Sequence, residues 1–219
     1  MHIPDGFLNA QTWAPAYLIS AGAISYSLKK SRQDLNDRQV PKLGVMAAFI
    51  FAAQMVNFPV AGVASGHLLG AALAAILLGP WSAALILTVV LAIQAVFFQD
   101  GGIAVLGANV LNMGVMAVLG SYLAYRLLSR VLPGAFGRNV AIFLAAWLSV
   151  LVAALMATLE LGLSYNAHQV PVSLILPPML VWHLLIGIGE GLITVAVVNF
   201  VEKTGFSGGD QVNGKGVGR

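Results

Sequence analysis

The sequence predicts an all-α membrane protein of seven transmembrane helices, with the N-terminus outside and the C-terminus cytoplasmic. Three observations carry this reading. Of 219 residues, 59% are apolar and only 9% charged, against about 25% charged in a soluble domain. The charges that exist are segregated: Asp100 is the only one from Leu43 to Tyr125, and Glu160 and Glu190 are the only two from Asn139 to Val201. The apolar remainder divides into seven runs near the length of about 20 residues that a bilayer-crossing helix needs.

The first span runs from about Trp13 to Leu28 and the second from Leu43 to Phe58, ended by Pro59. The third, Gly66 to Leu78, is too short for a full crossing, so it is expected to enter from a membrane-embedded loop or to start earlier. Gly79-Pro80 separates it from the fourth, Trp81 to Phe98; the fifth is Gly107 to Leu128, the sixth Val140 to Leu163 and the seventh Val172 to Val201. Residues 1–203 form one transmembrane domain with an N-terminal loop. The stretch 204–219, polar and Gly-rich, is expected to be a flexible tail. Nothing basic precedes Lys29, so the opening does not read as a signal peptide.

Seven crossings place all eleven Lys and Arg on one side: Lys29, Lys30, Arg32, Arg38 and Lys42; Arg126, Arg130 and Arg138; Lys203, Lys215 and Arg219. The excess of basic residues marks the cytoplasmic side. The net charge of +3 therefore reflects membrane anchoring, not nucleic-acid binding. Small residues at four-residue spacing (Gly66, Gly70 and Ala74; Gly187 and Gly191; Ala16 and Ser20; Ala21 and Ser25) predict close helix packing. The first-span stripe could instead face a partner subunit.

The outward N-terminus begins "MHIPDGFL". There is no cysteine, so a metal site must use nitrogen, oxygen or thioether. The α-amine of Met1, the backbone nitrogen of His2 and its Nδ1 close fused five- and six-membered rings. The amine loses its proton near pH 7.7–8.0 at modest cost. Displacing an amide proton calls for a metal that favours planar nitrogen coordination, Ni²⁺ or Cu²⁺. The chelate requires Met1 to be retained, deformylated and unextended; the alternative is an accidental histidine at an unimportant terminus. One corner stays open. His67, His168 and His183 are the candidates, and His67, at the outer start of the third span, is preferred over a reading in which it only bonds a neighbouring helix. Proton release from these donors predicts that affinity falls below about pH 6.5.

Imidazole ligands need partners that orient them. Asp5, Ser65, Gln99, Asp100, Asn109 and Asn112 lie toward the outer side. Asn109 and Asn112, three apart, are expected to share a helix face and to brace the N-terminal loop, with helix-to-helix bonding as the alternative. His183 and Glu190, seven apart, face the same way. A buried helix-locking pair is favoured for them over a role in ion transit.

The segments "MHIPDGFL", "GHLLGAALAAILLGPW", "FQDGG", "LGANVLNMGV" and "GIGEGLIT" occur in this order over nearly the whole chain. They resemble the cobalt/nickel M components of energy-coupling factor (ECF) transporters. The resemblance implies a substrate-binding subunit in a prokaryotic cytoplasmic membrane, with Met1, His2 and His67 holding Ni²⁺ or Co²⁺ as substrate and no prosthetic group. It also implies a T-type transmembrane subunit and two ATPase subunits as partners, with a separate small N component as a further one. No GxxxxGK[ST] loop occurs in the chain, so ATP hydrolysis is expected elsewhere. A stand-alone metal permease is the alternative, expected to run donors through the membrane. An intramembrane hydrolase using Ser65 and His67 is disfavoured, because residues two apart do not share a helical face and no GxSxG is present.

Overall fold

The computed structural model describes residues 1–34, 39–164 and 171–204. His168 and the stretch 205–219 lie outside the described residues. Among the described residues there are seven helices, α1 (Ala10–Asp34), α2 (Val40–Gln54), α3 (Ala71–Leu78), α4 (Pro80–Phe98), α5 (Leu106–Val131), α6 (Gly134–Leu163) and α7 (Val172–Lys203). The last four are each long and apolar enough to cross a membrane, and α2 is a shorter apolar helix. The chain is thus a multi-pass membrane protein.

The connection between the second and third predicted spans forms a hairpin, and the start of the third predicted span, Gly66 to Gly70, is not helical. β1 (Phe58–Val60) and β2 (Ala64–Gly66) pair antiparallel, with Pro59 opposite Ser65. Ala61 and Gly62, at φ 53° and 70°, make the tight turn whose twist suits a hairpin. An extended strap, residues 67–70, then leads into α3. At eight residues α3 rises only about 12 Å, well short of the roughly 30 Å hydrocarbon core. It enters from the loop side, because the hairpin and strap occupy the depth that a longer helix would fill.

Packing follows the small residues. Ala71, Ala72, Ala74 and Ala75 make the first five residues of α3 slim and buried. The rings of Trp147 and Phe143 on α6 lie over Gly187 and Gly191 of α7, where a Cβ would collide with them. The first-span stripe divides. Ala16 and Ser20 are buried, and Ser20 Oγ donates to the carbonyl of Gly107 at 2.7 Å. Ala21 and Ser25 face outward.

Two helices widen into π-helical turns, α4 at Gln94–Phe98 and α5 at Val110–Met116. Such turns often accompany functional sites, and these flank the end of the bundle where the N-terminus, the hairpin and the loop 99–105 meet. Basic residues gather at the other end, where Arg138 pairs with Glu202 and Lys42 and Arg126 border one cavity.

Candidate metal-binding site at the N-terminus

Residues 1–9 form a plug rather than a tail. Met1, Ile3 and Leu8 are core residues, at 0%, 0% and 6% exposure. The His2 carbonyl accepts from the Ser65 N–H at 3.2 Å, and the Ile3 carbonyl accepts from the Gly102 N–H at 2.9 Å. Asn109 pairs with Ile3 twice, its Oδ1 accepting from the backbone N–H at 2.9 Å and its Nδ2 donating to the carbonyl at 3.0 Å. The Asp5 carboxylate accepts from the N–H groups of Ile103 and Ala104 at 3.1 and 2.8 Å. The Asn9 N–H donates to Ser164 Oγ at 3.2 Å, which carries the plug onto α6.

The three expected donors converge on one atom. Ser65 Oγ lies 3.2 Å from the Met1 amine, 3.1 Å from the His2 backbone nitrogen and 3.2 Å from His2 Nδ1. A hydroxyl has two acceptor lone pairs and one proton. It accepts from the amine and the amide and donates to Nδ1, so all of its capacity is used. The opposite ring nitrogen, Nε2, donates to Gln94 Oε1 at 3.1 Å. That bond places the ring proton on Nε2 and leaves a lone pair on Nδ1.

His67 completes the group. Its ring lies 4.5 Å, centroid to centroid, from that of His2, tilted by 30°. Nδ1 contacts the Leu68 carbonyl at 2.7 Å; a carbonyl only accepts, so the proton is on Nδ1. Nε2 is buried with no hydrogen-bond partner, and its lone pair is free. The strap carrying His67 is held by Glu190, whose carboxylate accepts from Leu69 N–H at 2.8 Å and Gly70 N–H at 2.6 Å, and by Gln54, which donates to the Leu69 carbonyl at 2.7 Å. Gly70, at φ 76° and pressed on Ile50, has no room for a side chain.

Burial keeps these nitrogens neutral. Desolvation lowers the Met1 amine to about 4, partly countered by Asp100. Desolvation, then the nearby terminus, lowers His2 to about 3, and the same causes hold His67 well below its ordinary value. The expected loss of affinity near pH 6.5 therefore does not follow from imidazole protonation in the folded site. Burial pushes Asp100 up, opposed by the terminal amine and by Asn57.

The other expected residues separate. Asp5, Ser65, Asp100 and Asn109 touch the plug. Gln99 is exposed and supplies a left-handed turn at φ 56°. Asn112 turns away from the plug and donates to Glu160 at 2.6 Å, since the wider π turn starting at Val110 separates it from Asn109. His183 is fully buried, its Nδ1 bonded to the Met179 carbonyl at 2.6 Å, and it lies near enough to His67 to act on it electrostatically. It does not meet Glu190, which is engaged by the strap. Gln94 was not among the expected residues. Its only signal in the sequence is a glutamine inside an apolar helix, six residues before Asp100. Among the described residues no three His, Asp or Glu side chains cluster as a metal site.

The fold is that of solved transition metal transporters. A crystal structure of a transition metal transporter superposes with a TM-score of 0.87 at 33% identity, covering 93% of each chain, and a truncated transition metal transporter does so at 0.87 and 32%, covering 93% of this chain and 99% of that one. More narrowly, the chain belongs to the CbiM family, described as a cobalt uptake substrate-specific transmembrane region, which matches residues 2–206. An Archaeoglobus fulgidus chain assigned as a fused nickel transport protein, NikMN, is 42% identical over 201 residues, 92% of this chain and 65% of that one. The cobalt transport protein CbiM of Clostridium tetani is 34% identical over 211 residues, 93% of this chain and 85% of its own. The chain thus spans just under two thirds of the fused relative. The family and these relatives are named as metal transport proteins, not as enzymes.

Proposed function

We propose that this chain is the substrate-binding subunit of an ATP-driven ECF-type importer, and that it captures Ni²⁺ in preference to Co²⁺ through the Met1 amine, the His2 backbone nitrogen, His2 Nδ1 and His67 Nε2. The observation that carries this is the convergence of the first three nitrogens on Ser65 Oγ at 3.1–3.2 Å. With metal–nitrogen bonds of about 2.0 Å, an oxygen equidistant from three in-plane donors stands about 2.5 Å above the metal. That is too far for a strong ligand, which favours a planar four-nitrogen ion over an octahedral one and hence Ni²⁺.

The terminal location supports an outward-facing site, with the basic end of the bundle in the cytoplasm. The names of fused relatives, NikMN in Rhodobacter capsulatus and LarMN in Lactiplantibacillus plantarum, support partnership with further components. A T-type membrane subunit and two ATPase subunits would supply the driving step, with a small N component as an additional partner. Placing one residue before Met1 tests the chelate: the amine becomes an amide in a space with no exposure, and stoichiometric binding of Ni²⁺ with a yellow planar spectrum is expected to vanish. A planar species that survives the extension refutes the amine donor.

A further inference from the structure

The nitrogen site is closed, and one charged group reaches from it toward its mouth. Asp100 Oδ1 lies 3.3 Å from His2 Nδ1, with 15% of the aspartate side chain exposed against 2% of the histidine. Its Oδ2 accepts from Asn57 Nδ2 at 2.7 Å, which fixes the carboxylate in this direction. Nδ1 carries a lone pair, because the ring proton is engaged by Gln94. The Ser65 hydroxyl satisfies that lone pair, so Asp100 Oδ1 gains no hydrogen bond from the ring and keeps acceptor capacity that a cation beside Nδ1 can use. Of the other acidic groups near this end, Asp5 is taken up by two backbone N–H groups and Glu160 by Asn112. The Asp100 N–H also bonds the Gln94 carbonyl at 3.1 Å, so one π turn positions both the carboxylate and the residue that orients His2.

We propose that Asp100 is a capture ligand: a hydrated divalent cation exchanges water for its carboxylate first and is then passed to His2 Nδ1 and the other nitrogens. This rests on the metal-binding reading given above and adds the order of events. A carboxylate binds hard, hydrated ions readily and releases them to stronger nitrogen donors, whereas a site with fully buried donors offers a hydrated ion no first contact.

Stopped-flow mixing of Ni²⁺ with the full chain in detergent tests the order. Asp100→Asn keeps an acceptor for Asn57 and is expected to slow association at least about tenfold, with the dissociation rate and the planar spectrum at saturation retained. Asp100→Asn combined with Gln99→Asp restores the charge one residue away, at a left-handed position that aspartate tolerates, and is expected to stay slow. An unchanged association rate in Asp100→Asn, its recovery in the double variant, or a rise in dissociation that accounts for the whole loss would each overturn the proposal. If the unsubstituted chain forms no planar Ni²⁺ species, the underlying reading fails as well; if it forms one and only the rates disagree, the capture role alone fails.

Discussion

Lowering the pH from 8 to 5.5 separates a buried chelate from the same donors in water. Binding at the proposed site requires loss of the His2 amide proton. If the amine and two imidazoles kept ordinary values of 8.0 and 6.5, binding at pH 7 would release about 2.4 protons, and affinity would fall by about 10^6.8 across this range. With the amine near 4 and His2 near 3, the donors are already neutral and only the amide proton is released. Affinity should then fall about tenfold per pH unit, roughly 300-fold in total. The sign for plug docking follows from the same shifts: depressed values leave docking fully favourable above pH 8 and weaken it as the undocked terminus gains protons. By pH 5.5 the amine and His2 together cost about 5 kcal/mol at 1.36 kcal/mol per unit. Against this stand six hydrogen bonds from Ser65, Gly102, Asn109, Ile103 and Ala104, at about 1 kcal/mol each. Burial of Met1, Ile3 and Leu8 adds about 1.5–3 kcal/mol apiece, so the plug stays docked. Calorimetry in buffers of differing ionisation enthalpy counts the protons. Two or more per ion at pH 7 would refute the neutral buried site, and none would refute amide coordination.

Gln94→Leu removes the acceptor that keeps the His2 proton on Nε2, so Nδ1 can take the proton and face Asp100; Ni²⁺ affinity is expected to fall about 10–100-fold, and an unchanged dissociation constant would show that Gln94 does not orient the ring. Gly102→Ala places a Cβ against the Asp5 carboxylate and its backbone nitrogen. The plug should detach, with metal binding lost, the α-amine open to acylating reagents and helical circular dichroism retained; a still-protected amine would contradict the tight approach.

Much of the fold is legible because lipid imposes one simple rule, that spans are apolar and helical. Asp100 marks the break between α4 and α5 and three arginines mark the one between α5 and α6, while the uncharged polar stretch 164–171 separates α6 from α7. The reading falters where backbone polar groups are satisfied by something other than helix. Residues 58–70 look like the end of one span and the start of another, yet they form a hairpin and a strap, because Glu190 from α7 and Gln54 from α2 supply the bonds that a helix would have made internally. No local pattern in "GHLLG" announces a carboxylate 120 residues downstream. The π turns escape for the same reason: a spacing of three predicts a shared face for Asn109 and Asn112 only if the helix is regular.

The donor set is legible for a different reason. A chelate of amine, amide and imidazole is a property of two covalently joined residues, so positions 1 and 2 suffice to write it down. What the fold adds is the environment. Ser65, facing the donors from the hairpin, holds them at one point; Gln94 and the Leu68 carbonyl assign the ring protons; burial strips the amine of its charge. Each acts through a bond that joins residues far apart in the chain, apart from His67 to Leu68. The same burial that makes the site ready for a metal also makes it dependent on docking. Anything that frees the first nine residues returns the amine to its ordinary protonation and disperses the four nitrogens together, so capture and release can be governed by the position of the plug without any change in the ligands themselves.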